Sequence, residues 1–520
     1  MESTRIKSTG VGRREVLKGL GVTAGLAVGL GSRRAAGQGK PGGTLIFASA
    51  ALPPNIEPHM QGLDIWQRRK SLIYENLVWI DHGLEPRPEL AERWEQRSPT
   101  EYVFHLRRGV RFHNGKEMDA EDVKYTYDRV RDPKVSPGAT DLIAIKEIES
   151  LDRFTVRFTL TGPFATFLIN LGGKYNGVIP KDSAGDGKAL LTKAIGTGPF
   201  TVEEFDPSRR LVLKRSPNYW GPQKPLLDGI VFQAIPDESS IVAGLRTGQV
   251  TFAEFASALN FQVAKGLPGV EALQAPSTRW VVLDLAGDME PTNKPEVRQA
   301  IALAIDRQAV LQIAGAGLGR RLGVLPAGLA YWALPWQELP NQQRDVARTK
   351  TVLALAGYTG RISVKIRNIV GFPALAAALP VIVDNLREAG IDVAVETVDG
   401  GVWIKDWIVP QSPPTMNEWG GFVDPDQALH RHFHSPPGGR DFRRWRNKRA
   451  DELLDAGRAT LERAKRKQIY DELQRLMAED PITIPLYSPD LLYAMSKSIR
   501  GFQPHPTGFY YGLRFVSLER

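Results

Sequence analysis

The pattern of apolar and polar positions is clearest between residues 85 and 133. The side chains of residues 102, 104 and 106 (Tyr, Phe and Leu) alternate with those of residues 103, 105 and 107 (Val, His and Arg). This period of two is typical of a strand whose two faces differ. Asn114-Gly115 supplies the positive φ that a tight turn needs. Asp119, with Asp122 three residues later, is a candidate N-cap, and apolar residues then recur at helical spacing. The stretch predicts a strand, a turn and a capped helix.

A strand–helix–strand unit is predicted in the second half of the chain. Apolar residues alternate with other residues at 362–366 and again at 391–395, as in strands. Between them, over 374–389, apolar residues recur at helical spacing. Gly390 suits the left-handed position after a helix, and a right-handed crossover would make the two strands parallel neighbours. This half is therefore expected to be α/β. Further helices are predicted at 71–80, 450–459 and 461–479.

The first 37 residues have the layout of a twin-arginine export signal. Arg13-Arg14 precedes a Gly- and Ala-rich apolar run, 19–31, that is too short for a permanent membrane helix. Ala35-Ala36-Gly37 supplies small residues for cleavage. Val16 stands where the usual pattern has Phe, and the alternative is a basic disordered N-terminus. The flanking residues favour the signal, so residues 1–37 are expected to be removed and the protein to be periplasmic.

Much of the positive net charge lies in the predicted export signal, residues 1–37, called the leader below. The 520 residues carry a formal charge of +9, but the leader holds seven basic and two acidic residues and so accounts for five of these charges. The remaining excess is small and mostly dispersed. We therefore expect no nucleic-acid partner.

Cysteine usage and hydropathy limit the class of protein further. The sequence has no Cys, so it offers no site for lipoprotein attachment and no disulfide. Beyond the leader, no run approaches the roughly 18 apolar residues of a membrane span. With 42% hydrophobic residues the chain is able to form large cores, and its length suggests more than one lobe. We expect no stable membrane insertion.

Several stretches resemble the extracytoplasmic solute-binding proteins of family 5, which serve peptide- and nickel-type ABC importers. The resemblance is carried by ELAERW, YVFHLRRGVRFHNGK and AEDVKYTYDRV within residues 85–133, and by GTGPF at 196–200 and VRQAIALAIDR at 297–307. It extends from residue 42 to residue 515. A match of this length is far more specific than a short motif.

The resemblance implies an α/β fold of two lobes around a hinge, the type II periplasmic binding-protein fold of large peptide-binding proteins. The first lobe would comprise residues 38–275 and 485–520, with an extra subdomain inserted at about 63–190. The second lobe would comprise residues 276–484. A ligand would be enclosed between the lobes by hinge closure.

The function implied is that of a monomeric substrate-binding protein that captures a small-molecule or short-oligomer solute and delivers it to ABC permease subunits. The expected solute is peptide-like or another medium-sized polar organic molecule. Binding of a metal chelate, of a sugar or of an opine by the same fold stays open as an alternative. No cofactor is expected.

The ligand site is expected near Trp419 and Phe422. In peptide-binding members of the family a strand ends in Trp, and an Asp three residues later pairs with the α-ammonium of the peptide. Here Phe422 stands at that position, and a buried ammonium without a partner would cost several kcal/mol. Glu418 is an alternative partner, although neighbours on a strand face opposite ways. The pattern argues against an ordinary peptide with a free N-terminus.

Other candidate contacts follow from the same resemblance. Arg367 and Asn368 follow a strand in a region that approaches the carboxylate end of the ligand, where an arginine can form a bidentate pair. A surface arginine at a strand end is the alternative. Trp403 and Trp407 are candidate pocket walls together with Trp419, and core packing is the alternative for each of them.

The histidine-rich segment with His430, His432 and His434 raises the hypothesis of a metal site. On a helix, His430 and His434 would share one face, whereas on a strand all three would align. Nickel-chelate binders occur in the family, but the corresponding family helix is not a metal site. We expect no metal here, with His430 and His434 as the candidates if one binds.

Enzyme classes find little support in the sequence. A GxSxG elbow, an HExxH motif, a Cys nucleophile and a dinucleotide fingerprint in a strand–helix context are all missing from it. The protein is therefore not expected to be an enzyme.

Overall fold

Three large β-sheets organise the chain in the computed structural model, which describes residues 42–60, 64–185, 189–400, 402–403, 411–436 and 443–519. Its strands are β1 Thr44–Ser49, β2 Val78–Ile80, β3 Pro86–Pro88, β4 Ala91–Ser98, β5 Glu101–Leu106, β6 Ile145–Asp152, β7 Thr155–Leu160, β8 Phe200–Asp206, β9 Arg210–Arg215, β10 Gly229–Ala234, β11 Phe252–Phe255, β12 Val270–Ala275, β13 Trp280–Asp284, β14 Ile362–Ile369, β15 Ile391–Val398, β16 Thr415–Trp419, β17 Thr483–Tyr487, β18 Leu491–Ser496, β19 Ile499–Arg500 and β20 Ser517–Leu518.

Helices cover the sheets and connect their strands. They are α1 Asp64–Lys70, α2 Ala120–Val130, α3 Phe167–Leu171, α4 Glu238–Thr247, α5 Ala258–Lys265, α6 Pro295–Ala304, α7 Arg307–Ala314, α8 Val346–Leu355, α9 Pro373–Glu388, α10 Pro425–Phe433, α11 Lys448–Ala459 and α12 Arg463–Glu479. The helices predicted at 450–459 and 461–479 are thus confirmed as α11 and α12.

The seven-stranded sheet of the first lobe is built around β1. Its order is β12-β18-β11-β1-β10-β9-β8, and β1 runs parallel to both β10 and β11. Phe47 of β1 is fully buried, and its ring lies 5.0 Å from Phe232, 4.7 Å from Phe252 and 4.9 Å from Tyr510, centroid to centroid. This aromatic core joins the first strand of the sheet to the C-terminal tail.

The five-stranded sheet of the second lobe contains the predicted strand–helix–strand unit. Its order is β15-β14-β16-β13-β17, and β14 and β15 are parallel along their whole length. Helix α9 connects them, and Gly390 after it has a φ of 90°. The prediction from periodicity is confirmed.

A four-stranded sheet, β4-β5-β7-β6, forms a subdomain with α2. Asp119 caps α2, with its side chain accepting from the backbone of Asp122 while Asp122 accepts from the backbone of Asp119. Gly115 in the preceding turn has a φ of 88°. The strand, turn and capped helix predicted here are confirmed.

The helix predicted at 71–80 is wrong. Helix α1 ends at Lys70, and residues 78–80 form β2. The apolar side chains of the segment are buried as the pattern indicated, but its carbonyl groups bond to other parts of the chain. Leu72 O accepts from Phe200 N at 3.1 Å and Ile73 O accepts from Gly198 N at 2.9 Å. Tertiary hydrogen bonds therefore replace the helical ones.

The chain passes between the two large sheets at two neighbouring points, residues 276–279 and 488–490. Ser488 Oγ donates to Arg279 O at 2.7 Å, and Ser277 Oγ donates to Pro489 O. The expected lobe boundary after residue 484 lies inside β17, which pairs with β13 of the second lobe. The return crossing therefore comes a few residues later than the sequence suggested.

A buried ion pair fixes α10 to α12 in the second lobe. Asp424 caps α10 by accepting from Asp426 N at 2.9 Å, and both of its oxygens accept from Arg466 at 2.5 Å. The two side chains are 1% and 5% exposed. Removing one partner would leave an uncompensated buried charge.

We expect Asp424→Asn to lower the free energy of unfolding by about 3 to 5 kcal/mol, the usual cost of breaking a buried pair. Asp392→Asn is the control, because Asp392 pairs with Arg361 where both side chains are 51% exposed. That change should cost less than about 1 kcal/mol. Urea unfolding measures both, and equal losses would contradict the role given to Asp424.

Candidate functional site

The site lies at an edge of the five-stranded sheet, where it faces the first lobe. Strands β14 and β16 are parallel, with Arg367 in register with Thr415, so their carboxyl ends share one edge. Residues 420–423, which follow β16, form one wall of a cavity between the lobes, and residues 172–174 and the tail segment 505–511 contribute the others. Ligands of open α/β sheets usually bind outside the carboxyl ends of strands.

Aromatic rings form the wall on the side of the second lobe. Phe422 lines the cavity, and its ring lies 5.8 Å from Trp280 and 5.7 Å from His432. Trp419 stands behind this wall, with its ring 4.1 Å from His432 and its Nε1 donating to Asp284 Oδ2 at 3.2 Å. Of the two residues expected near the ligand, Phe422 contributes to the cavity surface and Trp419 supports it.

The opposite wall comes from the C-terminal tail. Phe509 stacks on Tyr511 at 5.6 Å between centroids, and both rings line the cavity. His505 lies beside Tyr511 and donates from Nε2 to Ile80 O at 3.0 Å, while its Nδ1 accepts from Thr507 N at 3.3 Å. This pair of hydrogen bonds fits the neutral imidazole. The cavity is thus enclosed by aromatic rings on two sides.

Charged side chains close the remaining side of the cavity. Lys174 and Arg431 line it together with Asp141, whose carboxylate is 4.0 Å from the Arg431 guanidinium. The space between the walls is about 60 Å³. Because organic ligands need several hundred Å³, the lobes must separate before one enters.

A second group of arginines lies behind the aromatic wall. Arg367 is 7% exposed at the end of β14 and donates from Nε to Glu396 at 3.1 Å, and Asn368 beside it is also buried. Buried Asp284 accepts from Thr483 Oγ1 at 2.8 Å and lies 3.4 Å from Arg443. Arg367 and Asn368 therefore sit at the expected edge of the sheet, but not on the cavity wall described above.

The remaining predicted contacts are placed differently. Glu418 is not among the residues of the cavity wall described above, and it pairs with Arg279, whose Nε donates to it at 2.6 Å. The carboxylate is thus held where the chain crosses between the lobes. Trp403 is half-buried, and Trp407 lies outside the described residues.

Sequence reasoning missed most of the cavity wall. Lys174, Arg431, Phe509 and Tyr511 line it, and none of them was expected there. The aromatic run at 509–511 was a usable signal. Its position opposite Phe422 depends on the return crossing, which no local pattern reveals.

Contacts of the subdomain with α10 and α11 hold the cleft closed at its outer side. Ala165 N donates to Arg458 O at 2.9 Å, and Gln427 Nε2 donates to Asn170 Oδ1 at 2.9 Å. Asp426 of α10 accepts from Arg458 Nε at 2.9 Å. The side of α10 that bears Gln427 and Arg431 thus faces both the subdomain and the cavity.

The two histidines weighed as metal ligands meet a carboxylate on the neighbouring helix. The Nε2 atoms of His430 and His434 lie 3.0 and 3.2 Å from Asp455 Oδ1. None of the three residues belongs to the cavity wall described above.

A family model fits most of the chain. Residues 85–440 match bacterial extracellular solute-binding proteins, family 5. The chain belongs to this family. The recognition made from the sequence is therefore confirmed, and so is the function at that level: family 5 proteins are substrate-binding proteins of ABC importers rather than enzymes.

Individual family 5 proteins agree with this assignment along nearly their whole length. The dipeptide-binding protein of Escherichia coli K12 is 25% identical over 515 residues, covering 92% of this chain and 95% of the relative. DppA of Helicobacter pylori, solved with the peptide STSA, is 26% identical with a TM-score of 0.81, covering 92% of this chain and 99% of that one. AgaA from A. tumefaciens R10, solved with agropinic acid, has the same identity, coverage and TM-score.

These matches confirm the two-lobed α/β fold expected from the sequence. The relative solved with a peptide and the relative solved with agropinic acid are equally similar to this chain, so overall similarity does not select a ligand. Within the described residues, no helix is long and apolar enough to cross a membrane.

Burial at the cavity wall makes stability depend on pH. Burial lowers the pKa of His505 to about 4, whereas the unfolded chain binds this proton below about pH 6.5. The stability that neutral His505 contributes is therefore present above pH 6.5 and is lost as the pH falls toward 4. Burial raises the pKa of Glu75 to about 7, which affects the profile in the opposite sense.

A variant isolates the contribution of His505. We expect the stability of the natural protein relative to His505→Gln to fall by about 3 kcal/mol between pH 6.5 and pH 4. Urea unfolding of both proteins across this range measures the difference and cancels the effect of Glu75. A difference that does not vary with pH would show that His505 titrates normally in the fold.

Proposed function

We propose that this family 5 protein captures a medium-sized polar organic solute that carries an anionic group and lacks a free ammonium, and delivers it to the permease of an ABC importer. The observation that carries the proposal is Phe422. It stands where peptide-binding members of the family are expected to have an aspartate, and its ring packs against Trp280 and His432.

The nearby carboxylates do not replace that aspartate. Glu418 is held by Arg279, and Asp141 lies 4.0 Å from Arg431. An ammonium group brought against Phe422 would lose its water, and the carboxylate of the described cavity wall, that of Asp141, already lies beside Arg431. Burying an ammonium group with so little compensation costs several kcal/mol. A ligand whose amine is acylated or absent avoids this cost.

The charge balance of the cavity favours an anion. Lys174 and Arg431 face it, against the single carboxylate of Asp141. The cations supply charge-assisted hydrogen bonds to a carboxylate. The rings of Phe422, Phe509 and Tyr511 suit an apolar or planar part of the ligand, since aromatic walls bury area while a few polar groups set orientation. N-blocked peptides and other acidic organic solutes have this chemistry.

The proposal also covers the export route of the protein and the residue bounds of its two lobes. Residues 1–37 would direct export by the twin-arginine route, and the mature monomer would act in the periplasm. Residues 38–275 and 488–520 would form the first lobe, with the inserted subdomain at about 63–190. The second lobe would end near residue 487, and the two crossings would act as the hinge. The two contacts between Gln427 and Asn170 and between Ala165 and Arg458 support a closed state.

The test compares ligands that differ only in the amine. We expect N-acetylated dipeptides to raise the melting temperature of the protein, because the anionic end reaches Lys174 and Arg431 while no ammonium is buried. The same dipeptides with a free amine should bind at least tenfold more weakly, which corresponds to about 1.4 kcal/mol. Isothermal titration measures each pair.

If Phe422 is the reason that acetylated dipeptides bind more tightly than free-amine dipeptides, replacing it with aspartate should reverse that order. Phe422→Asp should improve binding of the free-amine dipeptides and weaken binding of the acetylated ones. Phe422→Leu is the control, since it keeps an apolar side chain and should keep the original order. Equal or tighter binding of free-amine dipeptides by the natural protein would overturn the proposal.

A further inference from the structure

A cluster of two histidines and one aspartate lies where α10 meets α11. His430 is in the last turn of α10, His434 follows the helix directly, and Asp455 is on α11. The imidazole rings are stacked 4.4 Å apart, with 12° between their planes. One ligand atom from each of the three residues lies within 4.8 Å of the others.

In the neutral form of His434, one ring nitrogen faces an oxygen to which it is unable to donate a hydrogen bond. Its Nδ1 donates to Ser435 O, so the neutral ring presents a lone pair on Nε2. That Nε2 is buried, lies 3.2 Å from Asp455 Oδ1 and makes no hydrogen bond in the described part of the chain. His434 is only 8% exposed. Two acceptors thus face each other, and a cation between them would satisfy both.

His430 is placed to take part in the same way. It is 1% exposed, and its Nε2 donates a hydrogen bond to the same oxygen of Asp455 at 3.0 Å. Its Nδ1 has no hydrogen-bond partner among the described residues, so the proton on Nε2 can move to Nδ1 when a cation takes its place beside Asp455. Both rings are therefore able to offer Nε2 as a ligand.

The distances from the two imidazole nitrogens to Asp455 suit a tetrahedral ion. Ligands at about 2.0 to 2.1 Å from zinc are separated by about 3.3 Å, close to the two separations seen here. The side chain of Asp455 is 64% exposed, which leaves a side open for water as the fourth ligand. Arg458 is nearby, but Asp426 accepts from it at 2.9 and 3.1 Å and offsets its charge.

We propose that His430, His434 and Asp455 bind one divalent transition-metal cation of the zinc class. Imidazole and carboxylate ligands favour such ions over magnesium, which prefers oxygen ligands in octahedral geometry. The ion joins α10 to α11 and so fixes the helix whose Gln427 and Arg431 face the cleft. This site is separate from the solute cavity and does not depend on the identity of the solute.

The experiment uses the mature chain without a histidine tag, freed of metal by a chelator and then dialysed. We expect Zn²⁺ to bind with a stoichiometry of one and to raise the melting temperature, and Mg²⁺ to do neither. Asp455→Asn should weaken Zn²⁺ binding at least about tenfold. Because Asp455 is exposed, this variant should fold, which circular dichroism checks. His434→Gln should weaken binding as well.

The matched control is Glu452→Gln, which removes a charge from an exposed side chain on the same helix. It should bind Zn²⁺ like the natural protein. If Zn²⁺ fails to bind in a saturable way, or if Asp455→Asn binds it as tightly as Glu452→Gln, the cluster is an ion pair between His434 and Asp455 and the proposal is wrong.

Discussion

The two neighbouring crossings between the large sheets constrain everything else in this protein. Residues 276–279 and 488–490 lie side by side, and hydrogen bonds from Ser277 and Ser488 tie one crossing to the other. The Arg279–Glu418 ion pair lies at the same place. Under the proposed hinge, rotation about two adjacent segments would move one lobe against the other without disturbing either core. The carboxyl edge of the five-stranded sheet consequently faces the tail segment 505–511.

The proposed solute site is one that neither lobe holds alone. The second lobe contributes Phe422 and Arg431, and the first lobe contributes Lys174, Phe509 and Tyr511. In the closed form these residues leave room for little more than a few water molecules. A solute of the proposed kind would occupy the cleft with the lobes slightly farther apart than they are here, while the contacts of the subdomain with α10 and α11 would keep the lobes close. Tighter binding of the solute to this nearly closed arrangement than to the open one would drive the motion.

The parts of the fold that the sequence predicted are those set by local pattern. Strands β14 and β15 with α9 could be predicted because one face of each element is buried, and the burial leaves its period in the sequence. The capping box of Asp119 and Asp122 is local in the same sense. The segment 71–80 was mispredicted because its carbonyl groups bond to residues more than 100 positions away.

The candidate site shows the same division. Phe422 was found because it departs from a family motif, whereas Phe509 and Tyr511 were missed because their place depends on the return of the tail. His505 shows how large the separation in sequence is, because its side chain hydrogen-bonds to Ile80 O, 425 residues earlier in the chain. Glu418 was a candidate partner for a ligand ammonium because it precedes Trp419. Its pairing with Arg279 is a tertiary contact that no pattern in the sequence predicts.

The cleft is proposed to hold an anionic solute without a free ammonium. Native mass spectrometry of the protein purified gently from its host tests this most directly, because a solute enclosed by both lobes should survive such a purification. Fragmentation of the released ligand should reveal a carboxylate or another acidic group and no primary amine. A peptide with a free N-terminus released from the cleft would contradict the role assigned to Phe422.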